Sequence, residues 1–110
     1  MLRELRTYDC HPGKMPDLIR RFEDHSRGIF DRLGIRYSDF WISTEDPNQL
    51  IYFLFWDDMA EHEKKWPVFL ADPEWIRVRD ASQVDGTILS KVTSHYFTPI
   101  AFTKPMNHTK

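Results

Sequence analysis

The chain has 110 residues, room for one domain with one core. Its 41% hydrophobic and 15% aromatic content excludes a disordered segment, and 15 basic against 17 acidic residues with no Lys or Arg cluster argue against a nucleic-acid partner. No stretch approaches the roughly 18 apolar residues of a membrane span. The N-terminus MLRELRTYDC carries charges where a signal peptide needs an apolar core, and Cys10 has no second cysteine to pair with. A soluble, cytoplasmic protein is expected.

Residues 2–10, LRELRTYDC, alternate like a strand and stop at the breaker cluster His11-Pro12-Gly13. From Lys14 to Leu33, apolar residues recur mostly at three and four, which predicts one amphipathic helix, and Gly34 is placed to end it. Residues 35–45 and 49–57 are rich in aromatic and β-branched side chains around Asp46-Pro47-Asn48, a turn sequence, and predict a hairpin. Asp58 and Glu61 have capping-box spacing. Pro67 and Asp72-Pro73-Glu74 interrupt the helical region that follows, so two pieces are expected, about 58–71 and 73–82. GTILSKVTSHYFT, 86–98, reads as the last strand; residues 1–98 form the expected domain and 99–110 a tail whose last residues are loose.

The order βαββαβ predicts an α+β, ferredoxin-like fold: a four-stranded antiparallel sheet with both helical regions on one face. LIYFLFW in the second hairpin strand is apolar on both sides. With Ile51, Phe53 and Phe55 placed under the helices, Leu50, Tyr52, Leu54 and Trp56 occupy the open face; the opposite parity exposes the first set instead. Either way an apolar face needs a cover, and a second copy of the chain is the simplest one, giving a homodimer in which two sheets close into a barrel.

Several motifs carry a resemblance. ELRTY at 4–8, Pro12-Gly13-Lys14, FW at 40–41, NQLIYFLFWDDMAEHEK at 48–64 and ADPEW at 71–75, in this order and spacing, resemble the NIPSNAP family over most of the chain. The resemblance implies a dimeric α+β barrel. That superfamily includes cofactor-independent monooxygenases, isomerases and haem-binding enzymes, an analogy of fold rather than of activity. Eukaryotic NIPSNAP proteins are associated with mitochondria and vesicle traffic.

Phasing the strands by the first parity puts Leu5 under the helices and sends Glu4, Arg6 and Tyr8 toward the barrel interior, beside Tyr52, Trp56, Trp41 and His95. These seven are the candidate cavity residues. A buried Arg6 needs a partner, which Glu4 supplies as a structural ion pair or as the group that orients Arg6 toward a ligand. Tyr8 is a proton donor or a wall residue. On the last strand Lys91, Thr93 and His95 form the cavity set, with His95 the candidate general base.

The five histidines make no HxH or HxxxH pair, and His62-Glu63-Lys64-Lys65 lacks the second histidine of a zinc helix because Trp66 stands there, so no metal site is expected. No phosphate-binding or hydrolase glycine motif occurs, and no cofactor is expected. Trp66, Phe69 and Trp75 read as core. Two functions follow: a homodimer binding a small, partly apolar molecule, with cofactor-independent monooxygenase- or isomerase-like chemistry, or a non-catalytic dimeric scaffold or protein-interaction module.

Overall fold

The computed structural model describes residues 1–104. Strand β1 (Leu2–Cys10) is followed by helix α1 (Met15–Arg21), which continues through a π-helical turn (Phe22–Ser26) into α2 (Arg27–Leu33). Strands β2 (Arg36–Ile42) and β3 (Gln49–Trp56) form the hairpin; α3 (Met59–Ala71), α4 (Pro73–Ser82) and β4 (Leu89–Phe97) complete the chain. The strands pair antiparallel in the order β2-β3-β1-β4, the expected ferredoxin-like arrangement. The expected loose end of the tail, at residues 105–110, lies outside the described residues.

Local chemistry sets these boundaries. Gly34, at φ 71°, ends α2 in the left-handed conformation that glycine adopts without a Cβ penalty, and the Lys65 ammonium donates to its carbonyl at 2.8 Å. Asp58 caps α3 by accepting the Glu61 N–H at 2.9 Å, while the Glu61 carboxylate accepts the Asp57 N–H at 2.6 Å. Pro67 sits within α3 without dividing it. The division falls at Asp72-Pro73, where Asp72 is extended and Pro73 opens α4. The Asp72 side chain makes no cap: it accepts from Arg32 at 2.7 Å, pinning the α3–α4 corner to α2.

The core lies between sheet and helices, and its parity is the reverse of the first phasing. Leu50, Tyr52, Leu54 and Trp56 are buried beneath the helices, with the Tyr52 ring 5.2 Å from Phe22 and the Trp56 ring 5.2 Å from His62. Because Glu4 pairs with Leu54, Arg6 with Tyr52 and Tyr8 with Leu50, these three side chains also point to the helices, whereas Leu5, opposite Phe53, points to the open face. The same register puts Ser94 and Tyr96 on the helix side and Lys91, Thr93 and His95 on the open side. In β2 a bulge between Tyr37 and Phe40 turns both toward the core; the Ser38 hydroxyl fills the gap in the ladder by accepting the Phe53 N–H at 2.8 Å. Trp41 consequently faces outward and is 43% exposed.

Trp66, Phe69 and Trp75 do pack into the core, their rings stacked in sequence at 4.9 and 4.8 Å.

Candidate functional site

The charged row of β1 is the polar centre of this aromatic core. Glu4 is fully buried, and both of its oxygens are occupied. Oε2 accepts from Arg6 Nη1 at 3.0 Å and from the Ser94 hydroxyl at 2.8 Å; Oε1 accepts from the Trp56 indole N–H at 3.1 Å. Such charge-assisted bonds are what allow a carboxylate to sit without water.

Arg6 continues the network. Its Nε donates to the hydroxyls of Tyr8 and Tyr52, each at 3.2 Å, Nη2 donates to Tyr8 at 3.1 Å, and Nη1 also donates to Ser94 at 3.0 Å. The Trp66 ring covers the guanidinium with its centroid 4.4 Å away. Burial works against the Arg6 charge, but the surrounding Tyr52, Tyr8 and Glu4 oxygens outweigh it and hold the guanidinium above its ordinary pKa. Burial likewise pushes the Tyr52 phenol well above its usual value, with Tyr8 adding to the effect, so Tyr52 keeps its proton.

Proton counting across the two phenols exposes an imbalance. The Tyr8 and Tyr52 oxygens lie 3.0 Å apart, so one donates to the other. Whichever receives has its own O–H left with no acceptor among the described residues. Arg6 has five N–H donors and a second Nη2 proton in the same condition. The centre therefore has more donors than acceptors.

On its other side Glu4 leads toward the surface. His62 Nε2 is 3.5 Å from Glu4 Oε1 and 3.3 Å from the Tyr96 hydroxyl, while His62 Nδ1 is buried without a partner. Burial and the nearby Glu4 raise the Tyr96 pKa. Tyr96 is 41% exposed, so a buried carboxylate, an imidazole and a phenol form a line from core to solvent. Both contacts fall on Nε2, which can donate toward Glu4 when it carries a proton or accept from Tyr96 when it does not.

Of the seven residues singled out in the sequence, the structure brings together Glu4, Arg6, Tyr8, Tyr52 and Trp56, though between the sheet and the helices rather than on the open face of the sheet. Trp41 and His95 are on the opposite face and do not join them. Sequence reasoning missed Ser94 and Tyr96, which share one face of β4, and His62 and Trp66, which are four apart on α3 and so present one helix face to the sheet. That spacing is the available signal. Among the described residues no group of three or more His, Cys, Asp or Glu is placed to hold a metal, and no helix is long and apolar enough to cross a membrane.

Comparison with solved structures agrees with the fold. A NIPSNAP domain protein from Burkholderia xenovorans superposes with a TM-score of 0.82 at 25% identity, covering 96% of this chain and all of that one. A NIPSNAP family protein of unknown function from Agrobacterium tumefaciens gives 0.78 at 20% identity over 94% and 91% of the two chains. An antibiotic biosynthesis monooxygenase gives 0.58 at 14% identity over 91% and 99%, a likeness of fold alone. No curated protein matches the sequence. The NIPSNAP family model matches residues 3–104, and the chain belongs to that family.

Proposed function

We propose that this protein is a homodimer that binds a small, partly apolar molecule bearing a carbonyl or carboxylate at the Arg6–Tyr8–Tyr52 centre. The Glu4–His62–Tyr96 line would serve proton transfer of the isomerase or cofactor-independent monooxygenase kind. The observation that carries the reading is the donor surplus: a buried phenol proton and an Arg6 N–H without acceptors call for a ligand oxygen. The apolar part of the ligand has a wall in Phe22, whose ring is 5.5 Å from that of Tyr8 and which also lines a recess of about 160 Å³ with Ile19, Phe40, Leu50, Glu23 and Arg27.

A library of carbonyl and carboxylate compounds, read as thermal shifts on wild type, Arg6→Lys and Tyr8→Phe, tests the proposal. Lysine keeps the charge and loses the planar fork; phenylalanine removes the donor alone. Compounds that raise the melting temperature of wild type but not of either variant support it. If no compound separates wild type from the two variants, the ligand reading is dropped. The scaffold reading then stands, favoured by the complete satisfaction of Glu4 within the chain.

A further inference from the structure

On the helix side of the sheet a second basic side chain is buried, and unlike Arg6 it has no counter-charge. Arg21, the last residue of α1, is only 6% exposed. Its guanidinium lies against the Trp75 ring at 5.2 Å, Nη1 donates to the Ser82 hydroxyl at 3.2 Å, and Nε is buried without a partner. No carboxylate lies within ion-pair distance of it among the described residues. A guanidinium taken out of water and left unpaired is costly, which is why buried arginines ordinarily meet an anion.

Arg21 lies three residues after the buried Leu18, on the same face of α1. Arg21 and Phe22 are consecutive yet both buried, an arrangement that the widened turn starting at Phe22 accommodates. Arg21 also lines a groove of about 540 Å³ between α1 with its π-turn and α4 with the loop after it. Lys14, Arg20, His25 and Arg77 line the same groove. Of the three acids there, Asp17 is committed to Arg20 and approaches Lys14 at 4.0 Å, which leaves Asp24 and Asp85. Arg77 forms no ion pair among the described residues. Val78, Ala81 and Val84 supply an apolar wall.

We propose that this groove is a binding site for a small organic anion, whose phosphate or carboxylate head is held by Arg21 and Arg77 and whose apolar body lies on Val78, Ala81 and Val84. The volume is that of an ordinary ligand site, and the arginine fork matches either head group. Burial holds the Arg21 pKa below its ordinary value, with Arg79 also repelling the charge, so an incoming anion relieves an existing penalty. None of the residues lining the groove belongs to the Arg6 centre, although the Tyr8 and Tyr52 oxygens favour the Arg21 charge from a distance.

Calorimetric titration with phenyl phosphate, benzoate and inorganic phosphate tests it on wild type, Arg21→Met, Arg77→Gln and Arg6→Lys. Wild type is expected to bind phenyl phosphate or benzoate saturably, and whichever binds tighter names the head group. Arg21→Met weakens that binding roughly 10- to 100-fold. Arg77→Gln weakens it several-fold, and Arg6→Lys leaves it unchanged. Without ligand, Arg21→Met melts no lower than wild type, because it removes an uncompensated charge. The proposal is overturned if no probe binds at millimolar concentration, or if Arg77→Gln and Arg21→Met bind as wild type does. It is also overturned if the loss is confined to Arg6→Lys, which would place the anion at the other centre. Should Arg21→Met fail to fold, Arg77→Gln, on the groove wall, still decides.

Discussion

At the scale of single residues, two arginines on the helix side of the sheet solve the same electrostatic problem differently. Arg6 is compensated within the chain by Glu4, two phenols and a serine; Arg21 has only a serine and an aromatic face. The pairing of Glu4 and Arg6 makes their removal strongly non-additive. Glu4→Leu leaves a buried guanidinium without its anion and also orphans the Trp56 indole N–H, and is expected to destabilise by about 3–5 kcal/mol. Adding Arg6→Met to Glu4→Leu should recover most of that loss, since a buried pair replaced whole by apolar groups is often nearly neutral. Urea denaturation of the single and double variants measures the coupling; equal stabilities would mean that the two side chains act independently. Rescue in the double variant says nothing against ligand binding, because a centre kept for function need not be the most stable filling of its volume. A second expectation concerns His62, the middle of the line to solvent. His62→Gln should keep the fold, lowering stability by about 1 kcal/mol or less, while removing the imidazole that lies 3.5 Å from Glu4 and 3.3 Å from the Tyr96 hydroxyl. Urea denaturation checks it, and a loss well beyond that size would mean that the imidazole holds Glu4 or Tyr96 in place.

At the scale of elements, what could be read from the sequence divides along pattern strength. Helix positions, the hairpin, the Gly34 stop and the break before Pro73 were all legible because each rests on chemistry within a few residues. The face of β3 was not. Leu50 to Trp56 is apolar at every position, so period two carries no information there, and β1 had to decide. In β1 the row Glu4, Arg6, Tyr8 looks polar, but it shares its parity with Leu2 and Cys10, while the opposite row is Arg3, Leu5, Thr7 and Asp9. Counting the whole strand favours the first row as the core face; the two charges masked it, and nothing in β1 alone reveals that Ser94 and Trp56 neutralise the cost. The β2 bulge compounded the problem, since it puts Tyr37 and Phe40 on one side and sends Trp41 to the other. The N-terminus of α3 yields a testable pH effect. Burial opposes the Glu61 charge, but Lys65 at 2.9 Å, the Asp57 N–H and Arg36 outweigh it and hold the carboxyl below its ordinary pKa. A carboxyl depressed on folding stabilises the native state above its unfolded value, near 4.3, and ceases to do so as pH falls through its folded value. Glu61→Gln is therefore expected to cost about 1 kcal/mol at neutral pH, with the difference from wild type closing below about pH 4. Melting curves across that range check it, and a difference independent of pH would assign the effect to geometry rather than charge.

At the scale of the whole molecule, the described residues form a two-layer slab, 45 by 35 by 20 Å, with helices on one side and, among those residues, a sheet face that no helix covers on the other. The corrected parity changes which residues make that bare face, not the need to cover it. Ile51 and Phe53 now point outward with Leu5, joined by Trp41, whose ring meets Phe53 at 6.4 Å, and by Phe97, which is 51% exposed. Arg3 already lies over the Phe55 ring at 4.9 Å, so part of the face carries a polar lid while its centre does not. A patch of this composition on a small domain is the kind that a second copy covers, and two such sheets packed face to face complete a barrel whose interior is these apolar side chains. Trp56 cannot probe an interface on this geometry: it is fully buried against Glu4 and His62, and a charge there would unfold the chain. Phe53→Glu is the appropriate change. It leaves the helix-side core intact and adds a charge from each copy to the apolar face, so a dimer through that face should weaken by about 100-fold or more while the circular dichroism spectrum is retained. Light scattering or sedimentation across a dilution series decides. A monomeric wild type would refute the dimer itself, and a Phe53→Glu protein that remains a dimer at the same concentrations would put the contact on another surface. The two arginine centres both lie on the helix side of the sheet, away from this interface. If the assembly is as argued, each protomer keeps its own sites, and ligand binding in Phe53→Glu should persist with the affinity of wild type once the variant is shown to be folded.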